Sequence, residues 1–172
     1  QAVYYTSDAS YTSQYQNAHT MPIGIDEAVF YPKTEEVRRA NSFLYVGRIG
    51  PAKRLQEILE AFRIAHKKRP EITLTIVGGT ARTQDEEYQA DLRAFVAEHD
   101  LPVTFVGSVP WAELPTLYSA HECCINLSPP GMFDKVIGEA LLCHCDIVTT
   151  NLDMEDLLGP ARVLRSADVE EV

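Results

Sequence analysis

Basic residues are scarce in this chain: 15 Lys and Arg stand against 25 Asp and Glu, giving a formal net charge of -10. Phosphate backbones are held mainly by clustered cations, so this balance argues against a broad nucleic-acid footprint and leaves room only for a local basic spot. Long apolar runs are missing too, with nothing near the ~18 residues that a membrane span requires. The opening Gln1-Ala-Val-Tyr-Tyr5 lacks the basic flank and apolar stretch of a signal peptide. It reads as a cut inside a longer protein, and no export is expected. Cysteine is sparse and oddly spaced: Cys123 and Cys124 are adjacent, while Cys143 and Cys145 flank His144. That pattern fits neither a CxxC redox pair nor a zinc ribbon, and buried reduced thiols are expected instead. Absent as well are GxGxxG at the first strand-to-helix turn and the Walker pattern GxxxxGK[ST], which lowers the weight of NAD and ATP binding.

What is present is enough for one domain. A chain of 172 residues can bury roughly 70% of its unfolded surface in a single core. From residue 41 to 165 short β-rich runs alternate with amphipathic ones, the order of βαβ units that build a doubly wound parallel α/β sheet of Rossmann type. The expected strands are 43–46, 72–77, 103–106, 124–127 and 147–150, with a sixth at 162–164. Leu55, Ile58, Leu59, Phe62 and Ala65 repeat at helical spacing, as do Tyr88, Leu92, Phe95 and Val96. Both stripes are read as core faces. Residues 1–40 differ: four tyrosines are scattered among Ser, Thr, Gln and Asn, followed by Pro22-Ile-Gly-Ile-Asp26 and Phe30-Tyr-Pro32. They read as a remnant plus linker, residues 41–172 as the domain proper, and a further helix is expected to begin near Val172.

The most informative stretch is Tyr45-Val-Gly-Arg-Ile-Gly-Pro-Ala-Lys-Arg-Leu55, which leaves the first strand, turns through two glycines and enters a helix. A helix N-terminus offers unpaired N–H groups and the positive end of the dipole, and glycine lets a ligand approach the backbone closely. Gly47, Gly50, Arg48 and Lys53 would therefore form an anion site. Cations oppose the dipole at a helix start, so Arg48, Lys53 and Arg54 need a compensating anion. A diphosphate suits them, because each charge-assisted hydrogen bond contributes only ~1.5–3 kcal/mol and one lysine would not suffice. The second stretch, Ser128-Pro-Pro-Gly-Met-Phe-Asp-Lys-Val-Ile-Gly-Glu139, follows the fourth strand. Loops at the carboxyl ends of strands line the ligand crevice of open α/β sheets, and the first and fourth strands flank the switch point. Gly131, Met132, Phe133 and Asp134 could present backbone N–H groups there. Glu139 stands among apolar neighbours, where a carboxylate needs either a ligand or a salt-bridge partner.

Taken together, FLYVGRIGPAKRLQEILEAF, ITLTIVGG, VTFVGSVPWAELPTLYSA and FDKVIGEALLCHCDIVTT resemble, in order and distance, the C-terminal domain of retaining GT-B enzymes of glycosyltransferase family 4. PIGIDEAVFYP is similar to that family's interdomain linker. The resemblance spans roughly residues 20–165, and it implies one half of a GT-B fold that serves polysaccharide or glycoconjugate synthesis. On it, Arg48 and Lys53 match the catalytic pair that binds the donor diphosphate and stabilises its departure. Glu139 matches a glutamate that contacts the ribose, residues 131–134 match a loop facing the sugar and phosphates, and Gly107–Pro110, with Ser108 and Val109, lie where the base is contacted.

The resemblance implies no cofactor beyond the donor itself, a UDP-, GDP- or ADP-sugar, no metal, and an acceptor domain outside this chain. It also implies a cytoplasmic enzyme, with peripheral membrane contact open for the whole protein. Two departures stand out. Gly131 occupies the position of the family's first paired glutamate, beside an Asp134-Lys135 pair that marks a variant, and His144 stands where glycine is common. A GT-B sugar-nucleotide epimerase and a non-catalytic nucleotide-binding module remain as alternative readings.

Overall fold

The computed structural model describes residues 2–21, 23–131 and 133–165. A short parallel pair, β1 (Val3–Tyr5) and β2 (Ala18–Thr20), opens the chain around a 3-10 turn at Tyr11–Gln14. The main body follows as β3 (Arg39–Val46), α1 (Leu55–Lys68), β4 (Thr73–Val77), α2 (Gln84–Glu98), β5 (Val103–Gly107), α3 (Leu114–Ala120), β6 (His121–Asn126), α4 (Lys135–Leu142), β7 (Asp146–Thr149) and α5 (Glu155–Leu158). Its five strands are all parallel, in the order β5-β4-β3-β6-β7. β3 and β6 are therefore neighbours, and between them the winding reverses.

Hydrophobic pattern decides which face each helix covers. Leu55, Ile58, Leu59 and Phe62 of α1 and Leu92 of α2 pack with Tyr45, Leu74 and Ile76 into one core layer. Tyr118 of α3 and Ile137 and Ala140 of α4 pack with Leu44, Val46, Cys124 and Ile147 into the other. Since residues alternate across a strand, Leu44 and Val46 face one layer while Tyr45 faces the other. Phe30, 1% exposed, belongs to the second layer and meets Trp111 edge-on at 5.1 Å between centroids. The backbone N–H of Lys33 donates to Ser119 Oγ at 2.9 Å. Residues just ahead of β3 are thus part of the domain's packing.

Three expectations need correction. The sixth strand, 162–164, is a single parallel bridge from Val163 to Thr149, because Gly159 at φ 76° and the 3-10 turn Pro160–Arg162 hold the preceding chain off the sheet. β6 begins at His121 rather than 124 and stops at Asn126, where Asn126 Oδ1 accepts the Ser128 N–H at 3.0 Å and turns the chain. On α1 the inward position is Ala61, while Ala65 is exposed. The expected helix near Val172 lies outside the described residues. All four cysteines are free; three are buried and Cys123 is half-buried. Burial pushes the thiols of Cys123 and Cys145 up to about 12 and that of Cys143 up to about 11, so they stay protonated at neutral pH. Among the described residues no helix is long and apolar enough to cross a membrane.

At the start of β6, His121 is 1% exposed, with Nδ1 2.7 Å from the Leu117 carbonyl and Nε2 2.9 Å from Thr75 Oγ1. A carbonyl only accepts, so Nδ1 carries the proton and Nε2 accepts from the threonine hydroxyl. Burial holds the imidazole below its usual 6.5. The unfolded chain then takes up a proton that the folded one resists, so stability falls as pH drops below about 6.5. Urea midpoints measured from pH 7.5 to 5.5 should show this loss, and His121→Gln should flatten it.

Candidate donor site

Backbone geometry sets the first wall of the crevice. After β3 the parallel ladder continues loosely: Gly47 N–H donates to the Val77 carbonyl at 3.0 Å and Ile49 N–H to the Gly79 carbonyl at 2.9 Å. The two loops approach so closely that a Cβ on Gly78, at φ +137°, would lie 1.8 Å from the Gly47 oxygen. Only glycine fits there. Tyr45, buried in β3, donates its hydroxyl to the Arg48 carbonyl at 2.8 Å, which fixes the turn from within. A 3-10 turn at Pro51–Lys53 follows, and Arg54 at φ 56° redirects the chain into α1. Arg48 is left exposed, and among the described residues no hydrogen bond or ion pair engages its guanidinium.

Lys53 crosses the switch point. Its ammonium donates to Asp134 Oδ2 and to Ser128 Oγ, both at 2.8 Å. The same carboxylate oxygen accepts from Asn126 Nδ2 and Ser128 Oγ, each at 2.9 Å, and Asp134 caps α4. Lys53 is 25% exposed at its side chain and Asp134 11%. Burial pulls the Asp134 pKa upward, but the hydrogen bonds from Lys53, Asn126 and Ser128 outweigh it, and the net shift is down. An ammonium has three donors; two are used here, so one remains for a ligand.

Glu139 lies five residues past Asp134 in α4, about 7–8 Å along the axis at 1.5 Å per residue. It is 6% exposed and accepts from the Tyr118 hydroxyl at 3.1 Å. Burial raises its pKa, against the opposing pull of hydrogen bonds from Tyr118 and the Trp111 indole. No ion pair engages it among the described residues, so a tyrosine takes the place of the salt-bridge partner that the sequence allowed. Ser108 and Val109 line an open groove of about 350 Å³ with Gly47, Arg48, Gly78 and Gly79. The sequence-selected residues described here thus stand past the carboxyl ends of the strands or in α4: those after β3 and β6 flank the switch point, while Ser108 and Val109 follow the edge strand β5. Met132 lies outside the described residues.

The loop 131–134 departs from the sequence expectation in what its donors do. Gly131 N–H donates to Asp153 Oδ2 at 2.8 Å and Phe133 N–H to Thr6 Oγ1 at 3.3 Å. Asp153 also accepts from the Ser7 hydroxyl. Asp134 contributes its carboxylate rather than its amide. Asn126, Ser128 and Asp153 were not selected from sequence. The first two could have been, as polar residues closing an apolar strand; Asp153 carries no such signal.

The family of glycosyl transferases group 1 matches residues 40–172. Among solved structures, the Anabaena protein HepE in complex with UDP and glucose is similar at 19% identity and a TM-score of 0.83. That match covers 99% of this chain and 50% of HepE, so the chain spans about half the length of that relative. Sucrose-phosphate synthase from Thermosynechococcus elongatus matches at 24% identity and a TM-score of 0.74, covering 86% of this chain and 40% of its own. The C-terminal domain of the group 1 glycosyl transferase LpcC from Francisella tularensis matches at 26% identity and a TM-score of 0.65, covering 73% and 70%. No curated protein matches.

The Lys53–Asp134 pair ties Lys53→Ala to stability as well as to ligand binding. Removing the ammonium leaves a mostly buried carboxylate short of one donor, a loss of roughly 1–3 kcal/mol, measurable as a lower urea midpoint at constant slope. Glu139→Gln should act oppositely. A carboxyl with raised folded pKa lowers stability as pH rises above 4.5, because the folded chain keeps a proton that the unfolded one releases. The amide removes that titration, so Glu139→Gln should match or exceed the parent's melting temperature at pH 7.

Proposed function

The chain belongs to the glycosyl transferases group 1 family, and from that premise we propose that it is the donor-binding, C-terminal part of a retaining family 4 glycosyltransferase. The reading rests on one observation: two cations, exposed Arg48 and the partly engaged Lys53, leave one strand-to-helix turn at the reversal point of the sheet. The donor would be a nucleoside diphosphate sugar, its diphosphate against Arg48 and the free donor of Lys53. Its ribose would lie toward Glu139 and its base in the groove of Ser108 and Val109. HepE, whose structure holds UDP and glucose, supports that class of ligand.

Glycosyl transfer passes through an oxocarbenium-like state while negative charge grows on the departing diphosphate. Arg48 and Lys53 would stabilise that charge without a metal. Asp134, Asn126 and Ser128 hold the lysine in place beforehand, so little reorganisation accompanies the reaction. The acceptor and its base would come from outside this chain. Residues 1–40, with the β1–β2 pair, would belong to that other domain and the connection to it.

The carboxylate that contacts the sugar in similar enzymes is replaced by Gly131, which favours one second reading, a binding module without transfer. Calorimetry with UDP, GDP and ADP should give binding by at least one, weakened ~10–100-fold by Arg48→Ala or Lys53→Ala, one charge-assisted bond each. Saturation at 100 times Kd adds about 2.7 kcal/mol, roughly 5–10 °C in Tm for a domain of this size. Affinity untouched by both substitutions overturns the site. Whole protein that binds nucleotide yet neither transfers nor hydrolyses any nucleotide sugar decides for the module, and donor epimerised without acceptor decides for an epimerase.

A further inference from the structure

On the α1–α2 side of the β3 turn, away from Asp134, lies a second pocket of about 260 Å³ lined by Arg48, Gly50, Pro51, Arg82, Gln84 and Asp85. Asp85 is its unusual member. The residue is 8% exposed, and a Cβ built on Gly50 would stand 3.6 Å from its carboxylate carbon and both oxygens. Gly50 therefore leaves open the space in front of the acid. Among the described residues no hydrogen bond or ion pair reaches that carboxylate. Its place in the first turn of α2 is favoured by the helix dipole, but a buried carboxylate still calls for donors. Arg48 and Arg82 reach the same pocket from two different loops, both exposed and likewise without a side-chain partner among the described residues.

The mixture restricts the occupant. Phosphate would meet the arginines well but would press its charge against Asp85. A metal ion would suit the acid but not two guanidinium groups. A neutral polyol satisfies all of them, because each hydroxyl donates one hydrogen bond and accepts others: it can give to Asp85 and take from Arg48, Arg82 and Gln84. The volume is just under the ~300 Å³ at which drug-sized pockets begin, room for about one ring. We propose that this pocket is a saccharide-binding subsite, with Asp85 as hydroxyl acceptor and Arg82 and Gln84 as donors. It shares Arg48 and Gly50 with the proposed nucleotide site, and it stands whether or not that site takes a nucleotide.

The test uses the 15N-labelled chain titrated with glucose, galactose and N-acetylglucosamine, and separately with inorganic phosphate, followed by amide chemical shifts. At least one sugar should shift Gly50 and the amides of 82–85, and Asp85→Asn and the surface substitution Arg82→Gln should each weaken that response ~10-fold or more. Lys53→Ala should leave the sugar response intact while nucleoside-diphosphate binding weakens ~10–100-fold; sugar binding by the parent without any nucleotide binding would sink the donor reading and spare this one. The subsite is overturned if no sugar moves these amides, if phosphate alone does, or if both variants respond like the parent.

Discussion

The rest of the site depends on how β3 and β6 leave the sheet. They lie side by side, yet one chain exit turns into α1 on one face and the other into α4 on the opposite face. A parallel sheet opens a crevice where its winding reverses, and a crevice between diverging loops has nothing to set its width unless a bond spans it. The Lys53–Asp134 pair does so. With Asn126 and Ser128 on the same carboxylate oxygen, it forms a satisfied polar cluster, the condition under which a partly buried charge stabilises rather than costs. The lysine is thereby held in one position across the crevice.

Much of this was legible in the sequence because it rests on local pattern. The α1 face repeats at helical spacing, the β4 run Ile72 to Val77 is largely apolar and bounded by a glycine pair, and the cation-bearing turn between β3 and α1 contradicts the helix dipole strongly enough to be noticed. Long-range polar contacts were another matter. Asp134 reads as a loop residue with an available amide, and nothing local says that its carboxylate caps α4 and meets a lysine 81 residues away. The start of β6 was missed because His121 and Glu122 look unlike strand. His121 is satisfied by Leu117 and Thr75, and Glu122 accepts the Asn41 N–H at 2.6 Å. Their polarity answers partners that the sequence does not display.

The two departures from the family pattern have different structural weight. His144 adopts φ 59°, a left-handed conformation that glycine enters freely and histidine at a cost of about 1–2 kcal/mol, so the usual glycine has a backbone reason. Gly131, at φ +111°, is held by Asp153, which in turn accepts from Ser7. A carboxylate is thus present next to residue 131, borrowed from the loop after β7.

Phe30 bears on where this protein can be divided. Its ring is sealed between Trp111 and Tyr118, although in sequence it stands nine residues ahead of the first long strand. Excising the domain at residue 41 would leave a vacancy the size of a phenyl group in the layer that carries α3 and α4, and emptying such a site typically removes about 3–5 kcal/mol. The segment ahead of β3 is, by this contact, also a plug, and a cut that spares the layer must lie upstream of residue 30.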